Sequence, residues 1–345
     1  MDKIRVPEKR LREILKKILL NNNLSVTDTE NIVNCLIEAD SCGVHSHGIF
    51  TFKSHLKKIQ EKAYNLNPKF KIVRKGGAFS VIDADNSIGF LSATYCINTA
   101  IEGVKNAGIY AVFSFNSNTY GPAFYYPLLA AKKGLIGITF CNSPANMAPF
   151  GGKEKLFGTN PLSVVIPSKE SSPIILDMAT SKVAKSKINE AKLRGEKIPL
   201  GWALDEEGKE TTDPIEAIKG FMLPMEGHKG YGLALIIDVL SGVLSGAKFL
   251  NNVGKFYLEN NGSMGVGQTF IIIDPNQIYG ENFYEVMDNY KKIIQDSEGI
   301  LNNKVRVPGD GKLSKKDDSL KKGIEIDRKV YEFLQSEIEK VYKGE

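Results

Sequence analysis

The sequence predicts an α/β or α+β layered fold, and three observations carry the prediction. Short apolar runs with strand character recur after Pro68. Segments of helical spacing alternate with them. Helix-type apolar stripes occupy the first forty residues, the stretch 282–295 and the stretch 327–341. The chain has 345 residues, 42% hydrophobic and 25% charged, which is ordinary globular composition with enough apolar side chain for a sizeable core. Forty-five Lys and Arg against 40 Asp and Glu leave +5. That excess is small and interspersed with acids, so neither nucleic acid nor a membrane surface is expected as a partner.

Taken in order, Pro7 suits a first helical turn, where its missing N–H is no loss. Leu11, Ile14, Leu15, Ile18 and Leu19 follow the i, i+3, i+4, i+7, i+8 rule and form one apolar stripe, which Asn21, Asn22 and Asn23 end. Thr27 and Glu30 read as a capping box for a second helix that buries Ile32, Cys35, Leu36 and Ala39, with Gly43 just past its end. A third helix is expected over 50–63. Strands are expected at 79–82, 109–113, 135–140, 161–167, 174–178 and 269–274, and helices at 91–105, 121–133, 230–244, 282–295 and 327–341. In the helix at 282–295, Phe283, Val286, Tyr290 and Ile293 share one side. The run KLSKKDDSLKK, 312–322, reads as a solvated loop.

No stretch of eighteen uninterrupted apolar residues occurs, so no transmembrane helix is expected. Charges stand where a signal peptide needs an apolar core. Cys35, Cys42, Cys96 and Cys141 are too few and scattered for a disulfide framework, and a reducing cytoplasm is the expected compartment.

Four segments concentrate chemistry. Residues 39–48 (ADSCGVHSHG) place two imidazoles, two hydroxyls and two glycines at a helix-to-loop boundary. Histidine is the side chain best suited to exchange a proton near neutral pH, although the same pattern also serves as a capping loop. Residues 151–161 (GGKEKLFGTNP) put glycines around a polar turn before a strand, where backbone N–H groups can approach a ligand. Residues 177–181 (DMATS) read as a strand end entering a helix, with Thr180 and Ser181 as candidate caps and Asp177 suited to a ribose hydroxyl. Residues 227–232 (GHKGYG) open an apolar helix with a glycine-rich, Lys-bearing N-terminus, a ready anion site. No Walker A loop, G-x-G-x-x-G after a strand, HExxH or G-x-S-x-G is present. With four histidines and no paired cysteines, no metal site is expected.

These segments stand together in one order. EADSCGVHSHG, AAKKGLIGITFCNS, PFGGKEKLFGTNPL, LDMATS, GWALDEEGKETTDP, GHKGYGLALIIDVLSGVLSGA and GIEIDRKVYEFL span residues 38–334. The set resembles the type 2 malate/L-lactate dehydrogenase family. The resemblance implies an L-sulfolactate dehydrogenase-like fold that is not Rossmann. A helical domain would form from 1–72 and 276–345, with an α/β domain binding NAD(P) over 73–275, and the chain would pair as a homodimer. It implies NAD or NADP as cofactor and hydride transfer at C2 of a small 2-hydroxy or 2-oxo acid.

Residue by residue, the resemblance makes His47 the proton donor and Ser46 its catalytic neighbour. It places Ser143, Thr159 and Asn160 at the substrate. It assigns cofactor contacts to Asp177, Met178, Ala179 and Thr180, to Lys229 and Gly230, and to Gly309, Asp310 and Gly311. Two substrate positions depart from the family pattern. Thr51 stands where an Arg would clamp a carboxylate, and Thr119 where many members carry a histidine. Threonine cannot replace the charge of a bidentate Arg. Either another cation serves, with Lys53 and Lys187 as candidates, or the substrate differs. In the second case the expected substrate is an imine, or a sugar-like or carbamoylated compound. A catalytically silent nucleotide-binding protein is the remaining alternative.

Overall fold

The computed structural model describes residues 2–257 and 262–344. The N-terminal part comprises β1 (Lys3–Val6), α1 (Glu8–Asn21), α2 (Val26–Ser41) and α3 (Phe52–Gln60). The middle runs through β2 (Lys71–Lys75), β3 (Phe79–Asp83), α4 (Gly89–Ala107), β4 (Ile109–Ser117), α5 (Tyr125–Ala131), β5 (Ile136–Cys141), β6 (Leu162–Ile166) and β7 (Ile174–Met178). Then come α6 (Lys185–Arg194), β8 (Ala203–Leu204), α7 (Pro214–Lys219), β9 (Phe221–Met222) and α8 (His228–Asp238). The chain closes with β10 (Val266–Ile273), α9 (Pro275–Ile278), α10 (Phe283–Gln295), α11 (Asp310–Lys322), β11 (Ile324–Asp327) and α12 (Arg328–Lys343).

Seven strands form one mixed sheet in the order β2-β3-β4-β10-β5-β6-β7. Only β3 and β4 are parallel, joined through α4 as a crossover requires. Strand β10 comes from late in the chain yet lies between β4 and β5, with Phe270 opposite both Val112 and Thr139. Its run of Val, Thr, Phe and Ile is buried on both faces, which suits a central position. The chain ends meet as well. Strand β1 pairs with β11, Val6 opposite Ile324, and the stripe of α1 shares one core cluster with Leu334 and Ile338 of α12.

Several local expectations change. Strand β1 precedes α1, and Pro7 takes the N-cap position instead of the first turn. The cap of α2 is Ser25, whose Oγ accepts from the Asp28 N–H at 3.1 Å, so the Thr27–Glu30 box is displaced by two residues. Helix α5 is half the expected length because Gly121 and Pro122 occupy the turn before it. Thr180 and Ser181 cap nothing, since α6 begins only at Lys185 after Ala184. Helix α8 ends at Asp238 and continues as a π turn through Val243. The side of α10 bearing Val286, Tyr290 and Ile293 faces outward.

The largest correction concerns 312–322. It is the body of α11, not a loop. It has no apolar stripe, so periodicity gives no signal there. The helix is held by contacts with α2. Ser319 Oγ donates to the Ser41 carbonyl at 3.1 Å, and Lys316 Nζ meets Glu38 Oε1 at 2.7 Å.

Candidate active site

The loop after α2 is built around one buried carboxylate. Asp40 is 2% exposed, and its Oδ1 lies 2.7 Å from His45 Nδ1. Its Oδ2 accepts the Ile49 N–H at 2.5 Å. Burial raises its pKa, while those two hydrogen bonds pull the other way. Gly48 is required beside it, because a Cβ there would sit 2.2 Å from Asp40 Oδ2. This clasp fixes two short 3₁₀ turns, His45–His47 and Ile49–Thr51.

His47 projects from the clasped loop. Its Nδ1 lies 2.9 Å from Ser46 Oγ. The side chain is open to solvent yet ringed by protein, the situation of a group in a recess. Its pKa is lowered, first by desolvation. The Asp177 carboxylate acts to raise it and the Lys312 ammonium to lower it further.

Asp177, next to last in β7, pairs with Lys312 of α11, Oδ2 to Nζ 3.0 Å. The Lys312 ammonium also lies 5.0 Å over the Phe124 ring. Gly309 starts α11 against β7, and the Ile175 N–H donates to the Pro308 carbonyl at 2.8 Å. The Asp177 charge also reaches the buried Tyr120 phenol, which burial keeps neutral.

The other segments meet at the same end of β7. The Thr180 N–H and hydroxyl both donate to the Thr159 carbonyl at 2.9 Å. The Thr180 carbonyl accepts from the Met225 N–H at 2.9 Å, and the Gly230 N–H donates to the Met225 carbonyl at 2.7 Å. A Cβ on Gly230 would meet that backbone at 2.5 Å, so glycine is needed for α8 to dock. Asn160 joins the remaining pieces. Its Oδ1 accepts from the Ser143 N–H at 3.0 Å, and its Nδ2 donates to the Ala234 carbonyl at 2.9 Å.

The residues suit a dinucleotide. Helices α8 and α11 both begin at a glycine that supplies no side-chain cap to the first-turn N–H groups. Lys229 is exposed in the first turn of α8, and the space beside Gly311 and Gly232 is open. Met178 and Ala179 are partly buried beside Asp177.

A family model described as malate/L-lactate dehydrogenase matches residues 6–335. The chain belongs to the malate/L-lactate dehydrogenase family. Family members similar to it include a malate dehydrogenase from Pyrococcus horikoshii, 36% identical with 96% of this chain and 94% of the relative covered. An L-sulfolactate dehydrogenase from Methanocaldococcus jannaschii is 36% identical over 95% of this chain and 93% of its own length. The solved structure of the sulfolactate dehydrogenase from that organism has a TM-score of 0.91, covering 98% of this chain and 97% of the other at 34% identity. Ureidoglycolate dehydrogenase (NAD(+)) of Escherichia coli K12 is 31% identical over 97% of this chain and 96% of its own. The expected non-Rossmann fold is the one found, and this family member is an NAD(P)-dependent oxidoreductase acting on the CH–OH of a small hydroxy acid.

Within this family member, several of the other expected residues make contacts inside the protein. The Thr51 hydroxyl is buried and donates to the Gly48 carbonyl at 2.8 Å, closing its own turn. Thr119 is partly buried in the loop after β4, next to Asn118, which anchors that loop by donating to the Ser87 carbonyl at 2.9 Å. Asp310 Oδ2 accepts from the Val307 N–H and Gln295 Nε2, at 3.1 and 3.0 Å. Lys53 lies 5.4 Å over the Phe333 ring of α12, and Lys187 is exposed beside Glu190. Lys312, three positions after Gly309, also stands beside Asp177, and no local pattern in the chain marks it.

Proposed function

We propose that the chain interconverts a small 2-oxo acid and its 2-hydroxy acid, with His47 exchanging the proton at the substrate oxygen. One observation carries the reading: an accessible imidazole held by Ser46 lies within the fields of Asp177 and Lys312, beside β7, with the start of α11 packed on Ile175 and the start of α8 on Thr180. When bound, the reduced nicotinamide supplies the hydride.

Lys229, Gly230 and the Gly309–Gly311 turn are suited to hold the phosphates, and Asp177, Met178, Ala179 and Thr180 the sugar beside them. Ser46 holds Nδ1, which leaves Nε2 as the nitrogen that passes the proton. Asp40 keeps the loop in place through His45 and Ile49. Desolvation destabilises the imidazolium, Asp177 favours it and Lys312 opposes it, and with the pKa lowered on balance the ring gives up its proton readily. Ser143, held by Asn160, supplies a hydroxyl for the substrate.

The partner is a second copy of the chain, a reading supported by apolar side chains left outside. Helix α10 exposes Val286, Tyr290 and Ile293, and α8 exposes Leu233 and Ile236. A cytoplasmic location is supported by four cysteines that are all free and buried. No helix among the described residues is long and apolar enough to cross a membrane.

The test is NADH and NADPH oxidation with a panel of 2-oxo acids and a cyclic imine, and cofactor reduction with ureidoglycolate and simple 2-hydroxy acids. Turnover with 2-oxo acids supports the reading. Turnover confined to the imine or to ureidoglycolate replaces the substrate, and no turnover at all overturns it.

A further inference from the structure

Helix α11 meets the end of α2 one turn at a time. Ser319 bonds to Ser41, Lys316 pairs with Glu38, and the Lys315 side chain lies against Gly43. One turn nearer its start, Lys312 passes that surface and reaches Asp177. Leu313 beside it packs in the cluster that holds Phe124, together with Val44 of the His47 loop. The α11 start, the β7 end and the His47 loop therefore share one small volume.

Of the cations that α11 turns toward this loop, Lys316 is paired with Glu38 and Lys315 lies against Gly43, whereas Lys312 reaches Asp177. An ammonium has three N–H donors, and Asp177 takes one of them at 3.0 Å. Phe124 covers one side at 5.0 Å, and 22% of the side chain stays exposed. The other cations considered from the sequence are engaged elsewhere, Lys53 over Phe333 and Lys187 beside Glu190. Thr51 closes its own turn and carries no charge.

Resting on the reading of 2-oxo acid reduction, we propose that the Lys312 ammonium takes the carboxylate of the substrate. The charges balance in that arrangement. Asp177 contributes −1, Lys312 +1 and a proton-loaded His47 +1, leaving +1 for a monoanionic acid to neutralise. Asp177 holds the ammonium while no substrate is present, which spares the protein a desolvated lone cation. The arriving carboxylate uses a donor that Asp177 leaves free. It also offsets the effect of Lys312 on His47, so substrate binding favours the protonated ring that the reduction needs.

The experiment measures binding of oxamate, a non-reducible carboxylate, and of uncharged oxamide to the enzyme–NADH complex by fluorescence. Lys312→Met is expected to weaken oxamate about thirtyfold or more, the loss typical of removing one partner of a desolvated charge pair. Oxamide binding should change by less than about threefold, and Lys312→Arg should retain most oxamate affinity. The double variant Asp177→Asn/Lys312→Met leaves no orphaned carboxylate and should still lose oxamate. Oxamate affinity kept in both Met variants overturns the proposal. So does an equal loss of oxamide, or a wild type that holds no oxamate. A wild type that binds oxamate through Lys312 but oxidises NADH with no 2-oxo acid would instead overturn the reading of function.

Discussion

The carboxylate of Asp177 lies 3.0 Å from the ammonium of Lys312, and the two charges act on His47 with opposite sign. Reduction consumes the protonated ring. With the His47 pKa below 6.5, the NADH-linked rate falls as pH rises through that lowered value, and the reverse reaction gains over the same window. Asp177→Asn removes the charge that raises the pKa, so its midpoint moves further down. Lys312→Met removes one that lowers it, so its midpoint moves up. The pH profile of kcat/KM, which reports the free enzyme, checks both shifts, and movement in the same direction refutes the arrangement.

His47→Ala should lower kcat by about 10²–10⁴ while NADH still binds within a few-fold of normal, as fluorescence titration would read. Ser46→Ala loses one hydrogen bond to Nδ1, worth about 1 kcal/mol, and should cost about fivefold in kcat. A His47→Ala enzyme with unchanged turnover removes the ring from the reaction.

Gly48→Ala forces Asp40 away, since the new Cβ would fall 2.2 Å from Oδ2. The carboxylate then loses Ile49 or His45. We expect a destabilisation of about 2 kcal/mol or more in urea unfolding, accompanied by loss of turnover.

Two glycines of α8 should respond oppositely. Gly230→Ala meets the Met225 and Thr180 backbone at 2.5 Å and should weaken both folding and cofactor binding. Gly232→Ala enters open space and should stabilise by about 0.5–1 kcal/mol through helix propensity. Thermal unfolding of the two variants side by side reads the sign.

His55 supplies an acid-stability signal apart from the site. It is 3% exposed between Phe90 and Phe256, and burial, with Lys58 adding to it, pushes its pKa down to about 3. The unfolded chain therefore binds a proton below about pH 6.5 that the folded chain refuses. Stability is fully present above that value and falls by about 1.4 kcal/mol per unit as pH drops toward 3. His55→Phe should lack that slope, so the stability difference between wild type and variant should itself fall by about 1.4 kcal/mol per unit over this window.

Elements whose evidence is local were legible in the chain. The stripe of α1, the buried face of α2 and the apolar runs of β4, β5 and β7 declare themselves within a dozen residues. Spacing of apolar side chains is a short-range property. The segments carrying His47, Asp177 and Gly230 were equally visible, because glycines and polar groups at element ends are local features too.

Other features required the folded chain. Strand β1 is a four-residue piece that makes sense only against β11, more than 300 residues away. Helix α11 is polar almost throughout, so nothing in its own spacing separates it from a loop. Its structure comes from Ser41, Glu38 and the cluster around Phe124. Thr51 stands where an Arg would clamp a carboxylate, and only the folded loop shows its hydroxyl closing onto the Gly48 carbonyl. Residue type and rhythm thus wrote the helices, most strands and the loop of the proton-bearing imidazole. Packing of distant segments decided which charge stands beside that ring, because an ion pair such as Asp177–Lys312 depends on distances across space that no local pattern encodes.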